Sequence, residues 1–154
     1  RRARFGEELL ALADPDGIPV EIVAVADDAR VGWGGGEVPA EHALRGMHTA
    51  ELTVRQAAKT ERLIVEVMGY RLVKRDGARA RFAAPGAEAR SGHFVDVIGD
   101  ASAAPGVGGV GTIHHIAWSV PDDATELELQ ARLAAAGHPV SDVRDRDYFH
   151  SIYY

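Results

Sequence analysis

His114 and His115 stand side by side in GTIHHIAWSV, residues 111–120, where apolar and polar types alternate. An imidazole can bind a metal ion, move a proton or hydrogen-bond through either ring nitrogen, and it is costly to bury without partners. The alternation predicts a buried β-strand, in which every second side chain shares a face. Ile113, His115, Ala117 and Ser119 then point one way, and His114, Ile116, Trp118 and Val120 the other. The second set has the make-up of a core face. The first puts one imidazole among small neighbours, with room in front of it. By itself His115 is either a hydrogen-bonded core histidine or a metal ligand.

Other residues invite the same question. His48 opens a second alternating run, MHTAELTV (47–54), and Glu21 lies in PVEIV (19–23). A phosphate-binding look-alike, GVGGVG (106–111), matches G-x-G-x-x-G letter for letter. That fingerprint needs a strand before it and a helix N-terminus after it. Here Pro105 precedes it and the histidine strand follows, so it reads as a flexible linker. Glu41 and His42 sit in a Gly- and Pro-bearing stretch and read as connector residues.

The elements that must position these groups follow from periodicity. Residues 9–27 read as a hairpin around Asp14-Pro15-Asp16-Gly17, a turn sequence. After a connector comes strand 47–54, then a helical run over 54–69 with Ile64, Val67 and Met68 near one face and Gly69 as its stop. YRLVKRDG, ARARFAAPG and GHFVDVIGD read as three short strands. A Gly-rich loop leads into the histidine strand, a helix from Pro121-Asp122 to just before Gly137, and two further short strands. The block from His48 to Gly69 resembles the block from His115 to Gly137, and the two histidines lie 67 residues apart. The repeating unit is strand–helix–strand–strand–strand, an α+β arrangement. The expected division is a preceding unit's end (1–28), a connector (29–45), a complete unit (46–100), a linker (101–110) and the front of a following unit (111–154).

Composition narrows the function. The 154 residues carry a formal net charge of −6, with no large basic cluster, which argues against a nucleic-acid or anionic-membrane partner. There is no cysteine, so disulfides, thiol nucleophiles and zinc–thiolate sites are excluded within this chain. No apolar run is long enough for a transmembrane helix, and no signal peptide is evident, giving a cytoplasmic expectation.

The segments GTIHHIAWSVPDD (111–123) and VRDRDYFHSIYY (143–154) resemble the vicinal-oxygen-chelate superfamily, the glyoxalase and extradiol dioxygenase group built from β-α-β-β-β modules. DPDGIPVEIVA (14–24) and EHALRGMHTAELTV (41–54) add weaker support, and the match is best to two-domain, hydroquinone-type ring-cleaving dioxygenases. The resemblance implies a mononuclear Fe(II) or Mn(II) centre held by two histidines and a carboxylate, with open positions for an aromatic diol and O2. It makes His115 the metal ligand and His114 its supporting neighbour. It makes Arg146 a cation for substrate oxygen and Tyr153 a phenol that hydrogen-bonds the ring or relays a proton. Read without the resemblance, Arg146 is a solvated turn charge between Asp145 and Asp147, and Tyr153 is a core aromatic. The resemblance also places the other histidine upstream of residue 1 and the carboxylate downstream of residue 154. The expectation is an internal fragment with one ligand of three, no bound metal and no turnover by itself. Glu21 and His48 are expected to face each other as a relic of a duplicated site. A glyoxalase-like lyase or isomerase and a non-enzymatic aromatic-binding or resistance module are the competing readings, and exposed sheet edges admit a homodimer.

Overall fold

The computed structural model describes residues 1–86 and 90–154. The fold is α+β. Strands β1 (Arg2–Arg4), β2 (Glu7–Ala13) and β3 (Pro19–Val23) form an antiparallel sheet in sequential order. The β2–β3 turn lies where its sequence puts it: the Asp14 carboxylate accepts from the amides of Asp16 and Ile18 at 3.0 and 2.8 Å, and Gly17 takes a positive φ. Leu10 pairs with Ile22 and Leu12 with Val20, and these four apolar side chains remain well exposed on one face.

The second sheet contains β4 (Thr49–Val54), β5 (Arg71–Asp76), β6 (Arg79–Ala83) and β7 (Phe94–Gly99), in the order β4-β7-β6-β5. β4 runs parallel to β7 and the other pairs are antiparallel. The β6–β7 connection passes through residues 87–89, which lie outside the described residues. Helix α1 (Ala57–Arg62) crosses from β4 towards β5, and its last turn, Leu63–Val67, is wound as a π-helix. Ile64 and Val67 are buried within it, and Gly69, at φ +78°, ends it.

The two faces of this sheet differ in kind. Ile64 and Met68 pack on Ala80, Phe82, Val95 and Val97, with Leu52, Val54, Tyr70 and Trp118 at the margin. On the opposite face the register lines up Glu51, Asp96, Arg81 and Lys74 across all four strands. That charged face meets the first sheet through ion pairs. Arg4 bonds both Glu21 and Glu51, and Arg81 bonds Glu7.

The histidine segment corrects one expectation. Residues 113–120 are extended but join no ladder, so they form no β-strand among the described residues. Their alternation survives as half-buried Ile116, Trp118 and Val120, while His114 and His115 are exposed rather than buried. A strand needs neighbouring backbone to take its N–H and C=O groups, and no described element lies beside this one to do so. Trp118 anchors the segment, meeting Tyr70 edge-on at 5.7 Å between ring centroids. Helix α2 (Asp123–Ala135) follows as expected, capped by the Asp122 carboxylate, which accepts from the Thr125 amide at 2.8 Å. The closing strands are only two residues each, β8 (Arg144–Asp145) and β9 (His150–Ser151).

Candidate active site

A short hairpin and the extended histidine segment come together at the end of the chain. The hairpin turns at Asp147, whose φ of +66° is tolerated by its short polar side chain. The Arg146 amide donates to the Phe149 carbonyl at 3.0 Å, and the Asp147 amide to the Asp145 carboxylate at 3.0 Å. Below β8 and β9 the two arms stay together, because the Ser141 amide donates to the Tyr153 carbonyl at 2.9 Å and the Tyr153 amide to Ser141 Oγ at 3.0 Å. Gln130 ties the arm to α2 through a 2.7 Å bond to the Ser141 carbonyl. These contacts set Arg146 and Tyr153 on one side of the hairpin.

On that side Arg146 Nη2 donates to the Tyr153 phenol oxygen at 3.2 Å. The guanidinium carbons of Arg146 and Arg144 lie 5.6 and 5.8 Å from the Tyr153 ring centroid. The Arg146 hydrogen bond, reinforced by these charges, holds the Tyr153 phenol below its ordinary pKa. The His115 ring meets the Tyr153 ring edge-on, 6.3 Å between centroids. His114 Nδ1 and His115 Nδ1 are 2.8 Å apart, so one must donate and the other accept. If His115 carries the Nδ1 proton, its Nε2 presents a lone pair outward, the tautomer that binds a metal, while His114 holds the ring. All four sequence-predicted site residues therefore fall in one cluster, although they come from segments on either side of α2. The cluster is exposed, cationic and aromatic, and suits an ionised phenolic oxygen.

Arg144 belongs to this cluster and escaped the sequence reading. Its place one strand position before Asp145 and two before Arg146, facing the same ring, was the available signal. Glu21 and His48 do not meet. Glu21 is held by Arg4, with a 2.8 Å bond to Arg4 Nη2 and its pKa lowered by that bond, and His48 lies 3.2 Å from Glu7 and 2.7 Å from Ser91. Arg4 and Glu7 intervene because a charged sheet face must pair its own groups before it can leave any for a ligand. Among the described residues no three His, Asp or Glu side chains form a group able to hold a metal ion.

MhqO of Bacillus subtilis (strain 168), assigned as a ring-cleaving dioxygenase, is 36% identical to this chain over 154 residues, covering 98% of it and 47% of MhqO. The chlorohydroquinone/hydroquinone 1,2-dioxygenase of Sphingobium indicum is 31% identical over 157 residues, covering 99% of the chain and 48% of that enzyme. The crystal structure of a protein from Bacillus subtilis subsp. subtilis str. 168, assigned as a dioxygenase, superposes with a TM-score of 0.86 at 36% identity, over 99% of this chain and 48% of that one. The chain is a relative of ring-cleaving dioxygenases of the vicinal-oxygen-chelate type. It spans about half the length of the curated relatives it matches. No family model matches it. As a dioxygenase relative it carries the expected glyoxalase/dioxygenase-like fold. No helix among its described residues is long and apolar enough to cross a membrane.

Proposed function

We propose that this chain forms part of a metal-dependent ring-cleaving dioxygenase that opens a hydroquinone- or catechol-type ring with O2. The observation that supports this most is the meeting of His115, Tyr153 and Arg146 in a chain so similar to named ring-cleaving dioxygenases.

The implied ion is Fe(II) or Mn(II). The described residues do not fit it as they stand, because His115 brings one imidazole and no three-ligand group is formed. What the chain's own side chains do follows from their chemistry. Arg146 and Arg144 supply fixed positive charge where an ionised ring oxygen would sit, which both binds and orients it. Tyr153, its phenol made more acidic by Arg146, donates a stronger hydrogen bond to that oxygen and can pass it a proton. His114 fixes the ring of His115, so that one nitrogen faces the substrate side.

The test is oxygen uptake with hydroquinone by the full reading frame that encodes this chain, supplied with Fe(II) or Mn(II). The expected result is hydroquinone-dependent uptake that His115→Ala abolishes and Arg146→Gln lowers by about 100- to 1,000-fold, the range for losing one such electrostatic donor. Absence of uptake, or uptake indifferent to His115, would reject the proposal.

A further inference from the structure

The two segments that form the candidate site meet from either side of α2, and an ion pair joins them. One segment carries His114 and His115 and runs through Pro121 into α2, whose first residue is Asp123. The other is the β8–β9 hairpin, which carries Arg146 and Tyr153. Among the described residues one salt bridge links them: His150 Nδ1 lies 3.0 Å from Asp123 Oδ1. At its base the hairpin is already tied down, by Gln130 on the Ser141 carbonyl and by the Tyr154 hydroxyl against Met68. The His150 pair ties it again, nearer the tip. One attachment leaves a hinge, and a second fixes the orientation.

His150 faces carboxylates from both neighbouring elements. Asp123 and Glu126 lie in the first turn of α2, and Asp145 is its register partner on β8, on the same face of the hairpin. The N-terminus of α2 contributes a partial positive charge that opposes them. The Asp123 hydrogen bond, with the charges of Asp123, Asp145 and Glu126, holds the imidazole above its ordinary pKa. The charged pair is therefore present below that raised pKa and is lost as pH rises through it.

We propose that His150 is a pH-responsive positioning residue: as an imidazolium on Asp123 it holds the β8–β9 hairpin closed on the His115 segment, and as a neutral imidazole it lets the hairpin swing away with Arg146 and Tyr153. Its consequence for ring cleavage rests on the function proposed above. The contact itself is read without substrate or metal, so the two can fail separately.

The test is the nuclear Overhauser cross-peak between the ring protons of Tyr153 and His115, whose rings meet edge-on at 6.3 Å between centroids. It is followed from about pH 5.5 to about pH 8.5, across the histidine range. The expected result is a cross-peak that weakens as the His150 ring resonances titrate, by up to about fivefold, the scale of an exposed ion pair. In His150→Ala the cross-peak is expected to stay at its weaker level at every pH. Asp123→Asn keeps an acceptor and removes the charge, so it should lower the pH at which His150 titrates and shrink the step. A cross-peak that stays constant while His150 titrates would overturn the proposal. So would a pH response that survives in H150A, which would belong to His114 or His115, or the absence of the cross-peak at every pH.

Discussion

Replacing Asp96 by alanine is expected to destabilise the chain by about 3–5 kcal/mol, the usual cost of removing one partner from a buried ion pair. The Asp96 side chain is fully buried and accepts from Arg81 Nε at 2.7 Å, from Arg81 Nη2 at 3.1 Å and from Arg79 Nη1 at 3.1 Å. Arg81 cannot follow its lost partner into water, because Phe5 and Phe94 flank its guanidinium. It would keep Glu7 alone among its carboxylates. For a chain of this length each kcal/mol moves the melting temperature by about 2–4 °C, so the expected drop is about 6–20 °C. Glu51→Gln is the matched control. It removes ion pairs to Arg79 and Arg4 from the more open rim of the same cluster, and an exposed pair contributes about 0–1 kcal/mol. Differential scanning calorimetry of both variants reads the contrast. A D96A shift no larger than that of E51Q would refute the reasoning, since it would mean that Arg81 is not held where solvent cannot replace Asp96.

Phe82→Ala, at a residue 1% exposed in the centre of the helix-covered face, should cost about 3–5 kcal/mol in chemical denaturation. Arg146→Gln should move ionisation of the Tyr153 phenol to higher pH, because the hydrogen bond that lowers it is lost; near-ultraviolet titration with Tyr153→Phe as the blank reads this. Tyr154 is shifted the other way, to about 12 from 10.0, by burial and by the neighbouring Tyr70. Its neutral form is favoured by folding, so its contribution is complete below pH 10.0 and is lost as pH rises towards about 12. Tyr154→Phe should flatten the alkaline fall in melting temperature over that window.

Much of this was legible in the sequence because it rests on local rules. The Asp-Pro-Asp-Gly turn, the Asp122 cap, the Gly69 stop and the strand runs each carry their own signal, and the structure follows them. The histidine segment departs from its pattern because alternation specifies which side chains face inward but supplies no neighbouring strand. Trp118 still packs inward, while the backbone beside it joins no ladder. The convergence of His115, Arg146 and Tyr153 was anticipated from family resemblance rather than spacing, since nothing local says that a hairpin beyond α2 folds back on residues 114–115. The buried charges were hidden for the opposite reason. Glu51, Asp96, Arg81 and Lys74 look like solvated positions in alternating strands, and only the strand register sets them in one row facing another charged sheet.

The proposed role of the His115 cluster in ring opening by dioxygen has a direct isotopic signature. The most direct measurement is turnover of hydroquinone under isotopically heavy dioxygen by the full reading frame, with the product analysed by mass spectrometry. The expected result is a ring-opened product that carries both heavy oxygen atoms and disappears with His115→Ala. An intact ring, a product lacking both atoms, or a product formed equally well without His115 would contradict it.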